Sequence, residues 1–122
     1  MIKNVLLVGL GGAVGAMLRY GMTLLACALD WSGNMGTFLV NIIGSFIMGL
    51  LISCFGQGPW LLMATVGICG GFTTFSTFSM QSVTMLQQEK YGSALLYIVG
   101  TVVICIFAAF IGYLLGQKIV VR

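Results

Sequence analysis

The chain has very few charged side chains. Charged residues make up 6% of its 122 residues, histidine is absent, and the two carboxylates are Asp30 and Glu89. Enzymes use histidines, paired carboxylates or an activated nucleophile for acid–base and covalent chemistry, so this composition argues against an enzyme. Proton-coupled carriers place Asp, Glu or His within the membrane. Because both carboxylates fall between hydrophobic segments, the composition also argues against a small proton-coupled exporter.

The cysteines show no metal-binding pattern. They fall one to each hydrophobic segment, without a CxxC pair, at Cys27, Cys54, Cys69 and Cys105. Structural metal sites usually combine closely spaced cysteines with histidines. We therefore interpret these residues as small, buried apolar side chains, and the spacing gives a soft-metal transporter little support.

Long apolar runs dominate what is present. Hydrophobic residues make up 60% of the chain and the mean hydropathy is +1.14, values outside the range of soluble domains. A transmembrane helix needs about 20 apolar residues. The sequence predicts an all-α, multi-pass membrane protein, with one domain over residues 1–122 and four transmembrane helices at about 5–29, 37–55, 60–88 and 93–116. The first is interpreted as a retained span and not as a signal peptide.

Arg19 is the one ionised residue predicted to lie within a hydrophobic segment. It follows Gly11 and Gly15 and precedes Thr23 at intervals of four, so these residues share one helix face. An arginine at the centre of a membrane helix costs at least about 2.5 kcal/mol on insertion scales, so this face is expected to contact protein or water. Two roles stay open: Arg19 shapes a polar vestibule, or it only fixes the position of its helix.

Polar and small residues recur at intervals of four in the second and fourth segments. They are Thr37, Asn41, Ser45 and Gly49 in the second, and Tyr97, Thr101 and Cys105 in the fourth. Each set lies on one face of its helix. An asparagine buried in a bilayer either hydrogen-bonds to another helix or donates to a ligand, and both roles remain open for Asn41. Helix packing and a pore role remain equally open for the fourth segment.

The stretch from 70 to 79 is the most unusual in the chain. It combines two glycines, five hydroxyls and three phenylalanines in the sequence GGFTTFSTFS. The apolar runs on either side are each too short to cross a bilayer, so we predict a third helix broken near 70–76. Unwound backbone within a membrane must be buried in protein or line a cavity. The break is therefore predicted to be a binding site, with Phe75 and Phe78 on one helix face.

The polar groups near the break are suited to a small anion. They are hydroxyls, one amide and one guanidinium, which donate hydrogen bonds, together with phenylalanines whose ring edges are electropositive. Four short helices are too few to enclose a water-excluding path, so we expect a homo-oligomer, and a dimer is the commonest closed assembly. Two other functions stay open: a small cation channel or carrier that uses the carbonyls of the break, and a structural membrane subunit without transport.

Three stretches closely resemble the Fluc (CrcB) family of fluoride channels. They are residues 12–20 (GAVGAMLRY), 36–46 (GTFLVNIIGSF) and 67–78 (GICGGFTTFSTF), in an order and a chain length typical of that family. The resemblance implies an antiparallel, dual-topology homodimer with two fluoride pathways and a structural sodium ion at the dimer centre. It assigns the sodium ligands to the backbone carbonyls of Gly70 and Thr73.

The same resemblance implies a set of residues along the fluoride pathway. They are Asn41, Phe75, Phe78, Ser76, Thr77 and Thr101, with Arg19 at the vestibule or in a structural role. Cys105 stands where we expect a serine, and a thiol is a weaker hydrogen-bond partner than a hydroxyl. The implied function is passive export of toxic fluoride across the cytoplasmic membrane of a microbial cell. The implied partners are the lipid bilayer and a second copy of the chain, with no nucleic acid.

Overall fold

Helices make up nearly all of the structure, a computed structural model that describes residues 1–120. α1 spans Ile2–Ala28 and α2 spans Gly33–Cys54. A segmented third span covers Pro59–Gln87, and the fourth covers Tyr91–Val120. All four are long and apolar enough to cross a membrane, and no strand occurs within residues 1–120. The prediction of an all-α protein with four membrane helices is confirmed. Residues 121 and 122 of the predicted domain lie outside the described part.

The third span consists of two half-helices. The first is continuous from α3, Pro59–Leu62, through a π-helical segment, Met63–Cys69, to α4, Gly70–Phe72. The second is α5, Phe75–Gln87, which is followed by α6, Tyr91–Val120. Proline begins the first half at a position where its missing amide costs no helical hydrogen bond.

The break between the half-helices is narrower than the sequence predicts. Gly70 and Gly71 are helical, and only Thr73 and Thr74 have extended backbone, with ψ angles of 160° and 118°. Glycine permits unwinding but does not require it, whereas β-branched threonines favour extended conformations. The Thr74 hydroxyl also accepts a hydrogen bond from the Thr77 amide as the N-cap of α5. The break therefore falls at the threonines and not at the glycines.

Close backbone contact defines two helix pairs. α2 packs against α6, where a Cβ added at Gly112 would overlap the carbonyl oxygen of Phe46. α1 packs against the first half of the third span, where a Cβ at Gly15 would overlap the carbonyl oxygen of Ile68 and lie 2.8 Å from the amide nitrogen of Phe72. Small residues let membrane helices approach this closely. α1 therefore runs beside the break, and α2 does so as well, because a Cβ at Gly44 would overlap the Thr73 side chain.

Both carboxylates lie in tight turns at helix ends. Asp30 follows α1 and Glu89 follows α5, with φ angles of 58° and 60°. In each turn the next residue donates back across the helix end: Trp31 to the Ala26 carbonyl, and Lys90 to the Met85 carbonyl. This is the hydrogen-bond pattern of a Schellman motif. The described helices consequently contain no carboxylate in their interiors.

Few apolar side chains are buried inside the chain. No large side chain among residues 1–120 is completely buried, and the buried apolar residues are Ala26, Val40, Cys69, Phe78 and Ala94. Large apolar side chains such as Leu96 and Phe107 point outward instead. Such an arrangement is expected when lipid, and not water, covers the outer face.

Candidate ion-binding site at the helix break

Asn41 holds the break from α2. The Thr74 amide donates to Asn41 Oδ1 over 2.8 Å, and Asn41 Nδ2 donates to the Thr74 carbonyl over 3.1 Å. In an unbroken helix the Thr74 amide would donate to the Gly70 carbonyl. The asparagine therefore satisfies the backbone amide that the break exposes, which is the helix-to-helix role left open above. Its amide nitrogen carries a second hydrogen, so this role does not exclude donation to a ligand.

Arg19 holds the break from α1. Its Nε donates to the Gly71 carbonyl over 3.0 Å, and the side chain is half-buried. In an unbroken helix that carbonyl would accept from the amide of Phe75. Gly11 and Gly15 on the same helix face are buried against the third span, as predicted, whereas Thr23 is exposed and donates to the Arg19 carbonyl. The arginine contacts the break itself, so it does more than fix the position of its helix.

A cleft of about 310 Å³ opens beside the break. Four of the predicted pathway residues line it, namely Asn41, Phe75, Phe78 and Thr101. The remaining lining residues are Ser45, Thr73, Thr74, Val102, Cys105 and Ile106. The cleft therefore brings together the polar stripes of α2 and α6, the extended threonines and the start of α5.

The two phenylalanines occupy different positions in this cleft. Their ring centroids are 5.6 Å apart with an interplanar angle of 48°. Phe78 is only 6% exposed, whereas Phe75 is 75% exposed. Phe78 is thus part of the packed wall of the cleft, and Phe75 stands at its open side.

Ser76 and Thr77 lie outside the cleft, and their predicted place along the pathway stays a prediction. Both are exposed in the first turn of α5. The Ser76 hydroxyl lies 3.4 Å from the Thr74 hydroxyl, and the Thr77 amide donates to that same hydroxyl. Their contacts within the chain thus belong to the cap of α5, because the break falls directly before them.

Thr101 carries an unsatisfied hydroxyl. The residue is 5% exposed, and its Oγ1 is the buried side-chain oxygen or nitrogen without a hydrogen-bond partner among residues 1–120. Buried polar groups are nearly always paired, and leaving one unpaired costs about 1–3 kcal/mol. Thr101 lines the cleft, so its hydroxyl is a candidate donor to an ion bound there.

Tyr97 and Gln81 form a second polar contact beside Phe78. The Tyr97 hydroxyl donates to Gln81 Oε1 over 2.7 Å, and its ring centroid lies 5.2 Å from that of Phe78. Sequence reasoning placed Tyr97 on the polar stripe of α6 but missed Gln81. Gln81 follows Phe78 by three residues, so its position on the same helix face was the available signal.

Comparison with known proteins places these residues in a family. The profile of CrcB-like protein, Camphor Resistance (CrcB), matches residues 6–113. The chain belongs to the CrcB family. Relatives named Fluoride-specific ion channel FluC include one from Phenylobacterium zucineum, 43% identical over 97% of this chain and 98% of its own length. Another relative of that name, from Thermus thermophilus, is 40% identical over 98% of this chain and 99% of its own length. Fluoride-specific ion channel FluC 1 from Listeria monocytogenes serovar 1/2a is 44% identical over 95% of this chain and 99% of its own length.

The break of this CrcB-family chain offers backbone oxygens for a cation. No cluster of three His, Cys, Asp or Glu side chains occurs in the described residues. The Gly70 carbonyl loses its helical donor, because the Thr74 amide binds Asn41 instead. The Thr73 hydroxyl and amide both donate to the Cys69 carbonyl. A neutral oxygen without its helical donor is the kind of ligand that a hard cation such as sodium prefers.

The cysteines of this CrcB-family chain differ in exposure. Only Cys69 is buried; Cys54 and Cys105 are half-buried, and Cys27 is exposed. The prediction that all four are buried is therefore wrong for Cys27, which lies near the end of α1, and incomplete for the half-buried pair. Cys105 lines the cleft, so its thiol belongs to the candidate site.

Proposed function

We propose that this chain is a fluoride-selective ion channel that exports toxic fluoride passively across the cytoplasmic membrane. The observation that carries the proposal is the cleft, which is lined by Asn41 and by Thr101, a residue with a buried and unpaired hydroxyl. The names of the FluC relatives, about 40% identical over nearly the whole chain, support fluoride as that guest.

The lining of the cleft suits an anion that must lose its water. Moving an ion uncompensated into a low-dielectric medium costs tens of kcal/mol by Born estimates, so hydrogen-bond donors must replace its hydration shell. The amide of Asn41 and the hydroxyls of Thr101 and Ser45 are such donors. The ring edges of Phe75 and Phe78 carry positive partial charge. Fluoride would pass from one donor to the next along this lining.

Fluoride transport by this chain would be passive. The sequence contains no histidine, and both carboxylates lie in turns outside the helices. A proton-coupled mechanism would need an ionisable carrier group within the membrane. The ion gradient therefore supplies the driving force, and no enzymatic step is involved.

A second copy of the chain completes the channel in this proposal. Phe75, Ser76 and Thr77 are exposed at the start of α5, and polar groups beside a break are unfavourable against lipid. The charge difference between the two sides is small, with Lys3 and Lys118 near one side and Lys90 at the other. A weak bias of this kind is compatible with the antiparallel, dual-topology homodimer that the resemblance implies.

A structural sodium ion would lie at the dimer centre. The carbonyls of Gly70 and Thr73 would hold it, and the equivalent pair from the second copy would complete its ligands. Bound sodium would neutralise the negative ends of the carbonyl dipoles and so link the two breaks. It would stay in place while fluoride moves through the cleft.

Fluoride efflux from liposomes tests the proposed function. Purified protein is reconstituted in liposomes loaded with potassium fluoride, and efflux is followed with a fluoride electrode after addition of a potassium ionophore. We expect rapid fluoride release, no release from chloride-loaded liposomes, and loss of release in Phe75→Ile. Phe107→Ile is the matched control, because Phe107 is exposed on α6 away from the cleft.

Two outcomes would contradict the proposal. Folded protein that releases no fluoride would exclude a fluoride channel. Potassium release without the ionophore would instead favour a cation pathway through the carbonyls of the break.

A further inference from the structure

Cys105 places a thiol inside the candidate ion cleft. It lies one turn after Thr101 on α6, is half-buried, and lines the cleft together with Ser45. A thiol adds something that the neighbouring hydroxyls and amide lack. It is a soft nucleophile that forms covalent bonds under mild conditions once it loses its proton.

The unpaired hydroxyl of Thr101 is a second feature of this cleft, independent of Cys105, that points to a bound ligand. Thr101 is 5% exposed, and its Oγ1 has no hydrogen-bond partner among residues 1–120. The cleft measures about 310 Å³, which exceeds the roughly 30 Å³ that one water molecule occupies in the liquid. The cleft is therefore large enough to hold a small molecule beside Cys105.

The other cysteines provide a contrast within the same chain. Cys69 is buried, and the Cys54 thiol donates to the Gly116 carbonyl over 3.7 Å. Cys27 is exposed near the end of α1. None of these three lines the cleft. Reaction at Cys27 therefore reports reagent access, and reaction at Cys105 reports access to the cleft.

We infer that Cys105 is a modification site at which a small, uncharged, thiol-selective electrophile closes the ion path. The inference rests on the proposed fluoride function. With methyl methanethiosulfonate, the Cys105 thiolate attacks the sulfenyl sulfur of the reagent. A disulfide to a methylthio group forms, the sulfur–sulfur bond of the reagent breaks, and methanesulfinate leaves with the electron pair. The thiol proton passes to water.

Modification obstructs the path in two ways. The methylthio group occupies space between α2 and α6, beside Ser45 and Thr101. It also replaces the S–H of Cys105, a weak donor, by a group that cannot donate. Fluoride would then meet an apolar obstacle at a place where its lost hydration must be replaced.

The test measures fluoride efflux from liposomes before and after methyl methanethiosulfonate, with each variant compared with its own untreated rate. Peptide mass spectrometry on the same samples identifies which cysteines carry the methylthio group. We expect at least a tenfold loss of efflux in the unchanged protein and in Cys27→Ser. Cys105→Ser should keep its own untreated rate, and Cys105→Ala is a second variant in case the serine variant does not fold.

The outcomes separate this inference from the proposed function. Modified Cys105 with unchanged efflux would overturn the inference, as would inhibition that persists in Cys105→Ser. Unmodified Cys105 in samples where Cys27 is fully modified would overturn it as well. Absence of fluoride efflux from untreated, folded protein would contradict the proposed function instead. The mass spectrum would then still decide whether reagent reaches the Cys105 thiol.

Discussion

Asn41 and Thr74 form a paired contact across the helix break. Each contributes one donor and one acceptor, over distances of 2.8 and 3.1 Å. Arg19 holds the Gly71 carbonyl from α1 at 3.0 Å. Side chains from two different helices thus satisfy backbone groups that leave the helical ladder. These contacts hold the break in place from both sides, whereas the Gly70 carbonyl loses its helical donor.

Replacing Asn41 by alanine should destabilise the protein and abolish fluoride efflux. The change leaves the Thr74 amide without its acceptor, and an unsatisfied buried group costs about 1–3 kcal/mol. It also removes an amide donor from the cleft. Thermal unfolding of purified protein and liposome efflux measure the two effects.

Asn34→Ala is the matched control for this prediction. Asn34 lies at the start of α2, and its amide donates only to the sulfur of Met85 over 3.3 Å, a weak acceptor. We expect a much smaller change in unfolding temperature than for Asn41→Ala. Equal stability of the two variants would show that the contact with Thr74 contributes little.

Replacing Arg19 by lysine separates its charge from its hydrogen bond. Lysine keeps the positive charge but has no N–H at the Nε position, so the Gly71 carbonyl loses its donor. A hydrogen bond from a charged group contributes about 1.5–3 kcal/mol. We expect Arg19→Lys to lower the unfolding temperature about as much as Arg19→Met, which removes both the charge and the donor. A lysine variant as stable as the unchanged protein would mean that only the charge matters.

The helical plan and part of the site could be predicted from sequence patterns. Length and hydropathy identify membrane helices because the bilayer imposes both. Helical spacing placed Asn41 and Thr101 on polar faces that must contact protein within a membrane, and the resemblance to the Fluc family assigned Thr101 to the pathway. Phe75 and Phe78 share a face by their spacing. The convergence of all four on one cleft follows from the packing of these faces.

The position of the break could not be predicted to the residue. Glycine-rich sequence marks where a helix can unwind, but the partners that replace its hydrogen bonds come from α1 and α2. Those partners select Thr73 and Thr74. The same shift moves Ser76 and Thr77 into the first turn of α5 and out of the cleft. The β-branched threonines and the N-cap of Thr74 are local signals for this position, but the side chains that pair its freed groups lie 33 and 52 residues away in the sequence.

The close contact of α2 with α6 makes Gly112 sensitive to substitution. A Cβ at this position would overlap the Phe46 carbonyl oxygen, whereas a Cβ at Gly100 on the same helix would meet nothing within 4 Å. Overpacking costs about 1–3 kcal/mol. We expect Gly112→Ala to lower the unfolding temperature and Gly100→Ala to leave it unchanged or raise it. Equal effects would show that the helices separate easily.

Thr101→Val should reduce fluoride efflux without lowering the unfolding temperature. Valine has nearly the shape of threonine, and it removes a buried hydroxyl that has no partner among residues 1–120. Since an unpaired buried polar group is unfavourable, we expect unfolding temperature to stay equal or rise. Fluoride efflux should fall at least tenfold, because the ion loses a donor in the cleft. Thr101→Ser keeps the hydroxyl and should retain most of the efflux. Unchanged efflux in Thr101→Val would remove this hydroxyl from the pathway.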